Sequence, residues 1–284
     1  MPSQREIRRR IGSVGNIKQI TRAMQFVAAS KLRRAQEATL ASRPYSDKLD
    51  EVLADLAAVI DHEAHPLLAE EREGPRLIVL FTSDRGMAGS LNTNTIRYAA
   101  QQISSASEEL QVVTVGRKGT AAMRRAHVPL AASFDGFGDR PAFADILPLA
   151  RLVSDDFLAG TYTKVHLLYP AFVSTLVQRP EMKRLLPVKP NPTAAEGIPG
   201  GQFIFEPGPT KVLEQLMPRY VATRLFQAVL ELTASEQSSR MVAMRNATDN
   251  AQELIDDLTL TYNKVRQSNI TREMIEIATG ASST

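Results

Sequence analysis

The sequence predicts an α/β chain: a long antiparallel coiled coil made by the N- and C-terminal helices, with a Rossmann-like α/β domain inserted between them. Three observations carry this. Between Pro218 and Gly280 there is no proline and no glycine. That run of roughly 60 residues would make a rod of about 90 Å at 1.5 Å per residue. A second long helical signal runs from Ser3 to Arg43 at the other end of the chain. Between the two, the hydrophobic period changes, and short apolar runs alternate with helical patterns. Two long helices at opposite ends of one chain bury their seams most simply against each other. A stiff rod of that kind spans distance or transmits force and is a poor holder of a small substrate.

Composition narrows the classes. The 284 residues suffice for one large or two ordinary domains. Trp is absent and aromatics are scarce, so the core rests on Leu, Ile, Val, Ala and Met, which suits helix seams. There is no Cys, hence no disulfide, thiolate metal site or thiol nucleophile. The longest strongly apolar run, Leu77 to Phe81, is far below the ~20 residues that span a bilayer. The N-terminus lacks the apolar core of a secretory signal. It is basic and helical, but its heptad-like order marks it as mature structure instead of a transit peptide. Net charge is only +3, yet Met1 to Arg43 holds about ten Lys/Arg against about two acids. Such a stretch is either a solvated helix face or a surface for an acidic partner, protein or nucleic acid.

In chain order, apolar residues at Ile7, Ile11, Val14, Ile17, Thr21, Met24 and Ala28 step by three and four, the seam pattern of a coiled coil. Gly12 and Gly15 each weaken that helix by up to ~1 kcal/mol. They also remove bulk where another helix could approach. Pro44 is expected to kink or break the helix. The pattern resumes at Leu49, Val52, Leu53, Leu56 and Ile60 and ends near Pro66. This first segment is placed at residues 1–73.

The middle segment, residues 74–209, alternates strand and helix, as a mainly parallel sheet requires. Leu77 to Phe81, Val112 to Val115 and Val165 to Tyr169 read as strands. Asn94 to Ile103, Lys118 to Arg125 and Phe143 to Leu158 read as helices, the last despite Pro148. Further strands are expected at Leu176 to Gln178 and Phe203 to Phe205. Pro187 to Gly201 reads as an exposed loop. The last segment, 210–284, starts with a short helix from Lys211 to Met217. It leads through Pro218 into a helix with a seam of Leu225, Leu232, Val242, Met244, Ala251, Leu258, Val265 and Ile277.

Chemistry is thin. Thr82 to Ser90 (TSDRGMAGS) places a glycine turn after a first strand, where doubly wound domains bind phosphates. It matches neither G-x-G-x-x-G nor G-x-x-x-x-G-K-[ST], and the helix after it is expected to start several residues late. Gly116 to Gly119 lacks Walker spacing. His62 and His65 lie at i and i+3 without the H-E-x-x-H pattern, and His127 and His166 are isolated. Asp155 and Asp156 are adjacent and so point to different helix faces. No nucleophile, base and orienter set is visible. No catalytic residue, metal ligand or cofactor is expected.

Arg10 to Gln36 (RIGSVGNIKQITRAMQFVAASKLRRAQ), Ala234 to Ala281 and Thr82 to Asn92 (TSDRGMAGSLN) closely resemble the gamma subunit of the F-type ATP synthase. The resemblance covers essentially the whole chain, and the two terminal motifs are highly specific. It implies a non-catalytic central rotor stalk that couples proton flow to ATP synthesis or hydrolysis. Its terminal coiled coil would enter a ring of alpha and beta subunits, and its α/β domain would form a foot beside epsilon and the membrane c-ring. It implies a peripheral place on the cytoplasmic side of a bacterial membrane. Carried over by motif, the contacts to the ring are Lys18, Arg22, Met24 and Lys31 on the first helix and Arg240, Arg266, Gln267 and Thr271 on the last. The chain departs from the family pattern at Phe26, where Met is common, at Ala88, where Cys is frequent, and in its polar end from Thr279 to Thr284. The other readings are a soluble nucleotide-binding α/β enzyme with a coiled-coil oligomerisation arm, which would need a phosphate cradle, and a nucleic-acid binder. Gly12 and Gly15 speak against a continuous groove-reading helix in the latter.

Overall fold

The computed structural model describes residues 3–59, 67, 74–188 and 205–281. His62, His65, most of the loop expected from Pro187 to Gly201, most of the strand expected at Phe203 to Phe205, and the polar end beyond Ala281 lie outside the described residues.

Among the described residues ten elements follow one another: α1 (Gln4–Val59), β1 (Arg76–Phe81), α2 (Leu91–Ser104), β2 (Leu110–Val115), α3 (Arg117–Arg125), β3 (Leu130–Phe134), α4 (Phe143–Leu158), β4 (Lys164–Phe172), β5 (Gln178–Leu186) and α5 (Pro209–Ala281). Helix α4 has the expected bounds. Neither Pro44 nor Pro218 interrupts its helix. Pro218 therefore lies inside α5, and no separate short helix precedes it. A proline removes one hydrogen bond from an interior turn. Here the flanking turns are held by burial of Leu49, Leu53, Met217 and Val221.

The chain divides into two compact units, one of residues 30–239 and one of residues 1–29 with 240–284. The larger unit thus takes in the second half of α1 and the first half of α5 along with the sheet.

In the larger unit the sheet order is β3-β2-β1-β4-β5. The pairs β1–β2, β1–β4 and β2–β3 are parallel, and β4–β5 is antiparallel. Leu77 to Phe81 are all fully buried, as a central strand covered on both faces requires. Side chains alternate across the pleat. Leu77, Val79 and Phe81 join a core with Leu53 and Leu56 of α1, Ile146 and Leu149 of α4, and Leu225 and Val229 of α5. Ile78 and Leu80 face the other way, onto Ala99 of α2 and Met123 of α3. From Tyr220 to Arg240 no residue of α5 is exposed. This stretch is tied to α1 by Arg224, which pairs with Asp50 and donates to Ser46 Oγ at 3.1 Å.

In the smaller unit the helices run antiparallel. Gln4 Nε2 donates to the Tyr262 hydroxyl at 3.1 Å, Lys18 to Gln252, and the Thr21 and Thr248 hydroxyls meet at 2.8 Å. One residue number rises as the other falls. Met24, three residues beyond Thr21, is therefore level with the turn around Arg245, at the middle of α5 and not in its second half as the expected register had it.

The seam itself differs from the expected one. The positions turned inward are Ile7, Ile11, Val14, Lys18, Thr21, Gln25 and Ala28, a strict alternation of four and three. Ile17 is 50% exposed. On α5 the inward positions are Met244, Thr248, Ala251, Ile255, Leu258, Tyr262 and Val265, again four and three. The seam stops there because α1 begins at Gln4, level with Tyr262. Ile277, placed in the seam by spacing alone, is 72% exposed.

Each hydroxyl also has a carbonyl of its own helix within reach, Lys18 O for Thr21 and Met244 O for Thr248, so the one that accepts across the pair donates to its backbone. Removing one hydroxyl leaves the other with a backbone acceptor. Thr21→Val and Thr248→Val are each expected to cost ~1 kcal/mol or less, and the double variant no more than the worse single. Thermal unfolding of the three variants checks this, and additive losses would show that the pair is not one shared interaction.

Candidate functional site

Two places remained as sites on sequence grounds: the turn after β1, and the shaft surface.

The turn is a closed piece of structure. Thr82 Oγ1 accepts from the Gly119 N–H at 2.8 Å. The Ser83 N–H donates to Asn92 Oδ1, and Asn92 Nδ2 donates to Ser83 Oγ at 2.7 Å. Asp84 accepts from the Arg117 N–H on one oxygen and the Gly136 N–H on the other, both at 3.0 Å. Thr82, Ser83, Asp84 and Asn92 are thus bonded to the fold. Helix α2 also begins at Leu91, immediately after the turn, so the expected late start is corrected. Its start was hidden because Leu-Asn-Thr-Asn-Thr carries only one apolar side chain.

The order β3-β2-β1-β4 puts a topological switch between β1 and β4, where open α/β sheets hold their ligands. Here that crevice is occupied by α5. Beside it, at the ends of β1 and β2, Val229, Leu232, Thr233 and Glu236 close over Thr82, Ser83, Asp84 and Gly116 and leave about 30 Å³, room for about one water. Strand ends that would meet a ligand meet the helix. The Phe172 N–H donates to Glu231 at 2.7 Å, and Ser235, Ser238 and Ser239 donate to the carbonyls of Pro170, Thr175 and Ala88 at 2.8, 2.7 and 2.7 Å. The Ala-Ser-Glu-Gln-Ser-Ser run of α5 is a hydroxyl face made for those carbonyls.

A polar cleft of about 440 Å³ lies between α1, β4, β5 and α5. Its cations are engaged: Lys183 with Glu181, Arg224 with Asp50, and Arg184 likewise has a partner. Burial pushes the Tyr169 and Tyr220 hydroxyls up from their ordinary value, so both act as neutral hydrogen-bonding groups. Among the described residues no cluster of three or more His, Cys, Asp or Glu could hold a metal.

The eight shaft residues separate into two sets. Arg22, Arg266, Gln267 and Thr271 are exposed, and Met24 is half-buried. Lys18 is turned into the seam on Gln252. Lys31 reaches Asp139 at 2.6 Å. Arg240 is only 9% exposed and is engaged. Sequence reasoning missed a different feature. Ile17, Ile20, Met24 and Val27 form a second apolar stripe on the outer side of α1, with the three aliphatic members 50–58% exposed. The signal was present, since two interleaved 3-4 patterns on one helix cannot both be its seam.

The model of the family described as ATP synthase matches residues 3–284. An ATP synthase gamma chain of Roseiflexus sp. is 50% identical, over 99% of this chain and 98% of its own length. This chain belongs to the ATP synthase gamma family. Among solved structures, the central stalk/c-ring portion of the Tetrahymena thermophila mitochondrial ATP synthase is 25% identical. It covers 80% of this chain and 99% of its own, with a TM-score of 0.62. A chain of the Euglena gracilis mitochondrial ATP synthase shares the fold at a TM-score of 0.69 and 20% identity, over 99% of this chain and 94% of its own. Among the described residues no helix is long and apolar enough to cross a membrane.

Gly116 decides the closure. It sits at φ +101°, and a Cβ there would lie 1.9 Å from the Thr82 carbonyl oxygen. Gly116→Ala is expected to destabilise by more than about 3 kcal/mol, through backbone strain plus the clash. At Gly86 a Cβ would meet only Lys118 Nζ, at 3.8 Å. Gly86→Ala should change stability by less than about 0.5 kcal/mol. Denaturant unfolding of both variants tests the assignment of the turn as structural. Equal tolerance of both would contradict it.

Proposed function

We propose that this chain is the central shaft of an F-type ATP synthase. Its terminal coiled coil turns inside a ring of alpha and beta subunits, and its α/β unit stands as a foot beside epsilon and the membrane c-ring. It has no active site of its own, needs no cofactor, binds no nucleic acid, and couples proton flow to ATP synthesis or hydrolysis. Its place is on the cytoplasmic side of a bacterial membrane.

One observation supports this beyond membership of the family. In the smaller unit, apolar side chains are exposed among the described residues: the outer stripe Ile17, Ile20 and Val27, with Phe26 beside it, and the last turns of α5. From Arg266 to Ala278 every residue is exposed, including Ile270, Met274, Ile275 and Ile277. Exposed apolar area of that kind marks a partner surface. A single bare helix flanked by a greasy stripe fits a sleeve that surrounds it. Arg22, Met24, Arg266, Gln267 and Thr271 are the proposed contacts with the ring. Lys18, Lys31 and Arg240 sit close by in sequence and act through other groups of this chain.

The deciding experiment is co-expression with alpha and beta subunits. A stoichiometric complex is expected, with the chain more heat-stable inside it than alone. Failure to co-purify, or equal stability in both states, would defeat the reading. Within such a complex, Gln267→Ala with Thr271→Ala tests the tip. Thr271 Oγ1 bonds only its own helix, at Gln267 O, and both side chains are exposed. The pair should shift unfolding by no more than about 0.5 kcal/mol each while lowering ATP-driven proton uptake relative to ATP hydrolysis in membrane vesicles. An unchanged ratio would remove these two residues from the contact.

A further inference from the structure

Asp139 lies on the loop between β3 and α4 and divides its carboxylate between two helices. One oxygen accepts from Lys31 Nζ of α1 at 2.6 Å, and the other from Gln237 Nε2 of α5 at 2.9 Å. The Lys31 and Asp139 side chains are 27% and 35% exposed, so the pair is partly shielded from water and stronger than a fully solvated one. The loop is shaped for this reach. Gly136 and Gly138 adopt φ +83° and +66°, the left-handed region that favours glycine. It is also braced at its base. The Gly136 N–H donates to Asp84, whose other oxygen holds the Arg117 N–H at the start of α3. A line of directional bonds therefore runs from the end of β1 through Asp84 and Gly136 to Asp139, and from there to α1 and α5.

We propose that Asp139 is a torque-bearing clasp, a positioning residue that fixes both long helices to the sheet so that turning the foot turns them without slip. The proposal rests on the gamma-chain reading above. Its physical basis is the difference between two kinds of contact. Apolar packing is non-directional and resists separation more than sliding. A hydrogen bond weakens steeply once its angle is lost. A carboxylate bonded to two helices at once opposes sliding of either helix on the sheet and of one on the other. Lys31, carried over as a ring contact, works inward in this arrangement. Asp84, the acidic residue of a motif that seemed to ask for a phosphate, is the brace of the clasp.

The test uses the assembled complex in inverted membrane vesicles, with ATP hydrolysis and ATP-driven proton uptake measured together. Asp139→Ala should assemble and hydrolyse ATP, while proton uptake per ATP falls by about twofold or more. Gln237→Leu, which frees only the α5 side, should give a smaller loss in the same ratio and serves as the readout if Asp139→Ala does not assemble. The exchange Lys31→Asp with Asp139→Lys restores the pair in reverse and should recover coupling over either single change. A Lys31 that faced an acidic loop of the ring would instead make the exchange as poor as Lys31→Asp alone. An unchanged ratio in Asp139→Ala, or in Gln237→Leu where that serves as the readout, or an exchange that recovers nothing, overturns the clasp. Failure of the unaltered chain to assemble with the ring would instead strike the gamma-chain reading itself.

Discussion

The structure depends on the fit of α5 against the carboxyl ends of β1 and β4. A strand that ends at a sheet edge leaves backbone carbonyls and N–H groups to be satisfied. In ligand-binding α/β domains water or substrate takes that role. Here Glu231, Ser235, Ser238 and Ser239 take it from one helix face, while Leu225, Val229 and Leu232 on the same helix fill the core beneath. Serine is a mediocre helix former, and a run of them inside a long helix makes sense only as a set of donors. The same docking does two things. It turns the sheet and the neighbouring stretch of helix into one body, and it removes the crevice in which a nucleotide would lie.

What was legible in the sequence follows from where burial leaves a mark on residue type. Strand β1, covered on both faces, is an unbroken apolar run, and α4 shows its period clearly, so both could be located from the sequence. Strand β5 reads Gln-Arg-Pro-Glu-Met-Lys-Arg-Leu-Leu. It is a polar edge strand held by antiparallel pairing to β4, and nothing in its composition announces it. Strand β3, Leu-Ala-Ala-Ser-Phe, is an edge strand of weak formers and was missed for the same reason. Pro44 and Pro218 were over-weighted because a proline's cost is local, about one bond and a clash, whereas tens of residues of packing hold each helix.

The shaft surface was legible only in part. Ile17 and Met24 were assigned to the seam because each lies three residues from a true seam position. The helix carries two apolar stripes, and spacing alone could not say which faced α5. The partner helix decides it: Thr248 meets Thr21 and Gln252 meets Lys18, so the seam passes through a lysine and leaves an isoleucine outside. A lysine in a seam costs stability and fixes register. Its use here, beside the Thr21–Thr248 hydroxyl pair, gives the two helices one alignment where a purely aliphatic seam could slide by a heptad.

That alignment matters for a shaft in a way it would not for a simple dimerisation arm. A rotor bound strongly at one angle stalls there. A well of about 5.5 kcal/mol is enough to reverse 99:1 odds between two states. Under the proposed function, contacts with a surrounding ring are many, weak and nearly equivalent, which suits exposed polar and charged side chains worth ~0–1 kcal/mol each. Contacts inside the shaft have the opposite requirement, since any slip there dissipates work before it reaches the ring. The structure distributes its residues along that division. Arg22, Arg266, Gln267 and Thr271 are exposed. Lys18, Lys31 and Arg240, close by in sequence and similar in charge, are drawn into bonds within the chain. Basic residues that look alike in the sequence thus differ in burial, and under the proposed function that difference separates two mechanical ends.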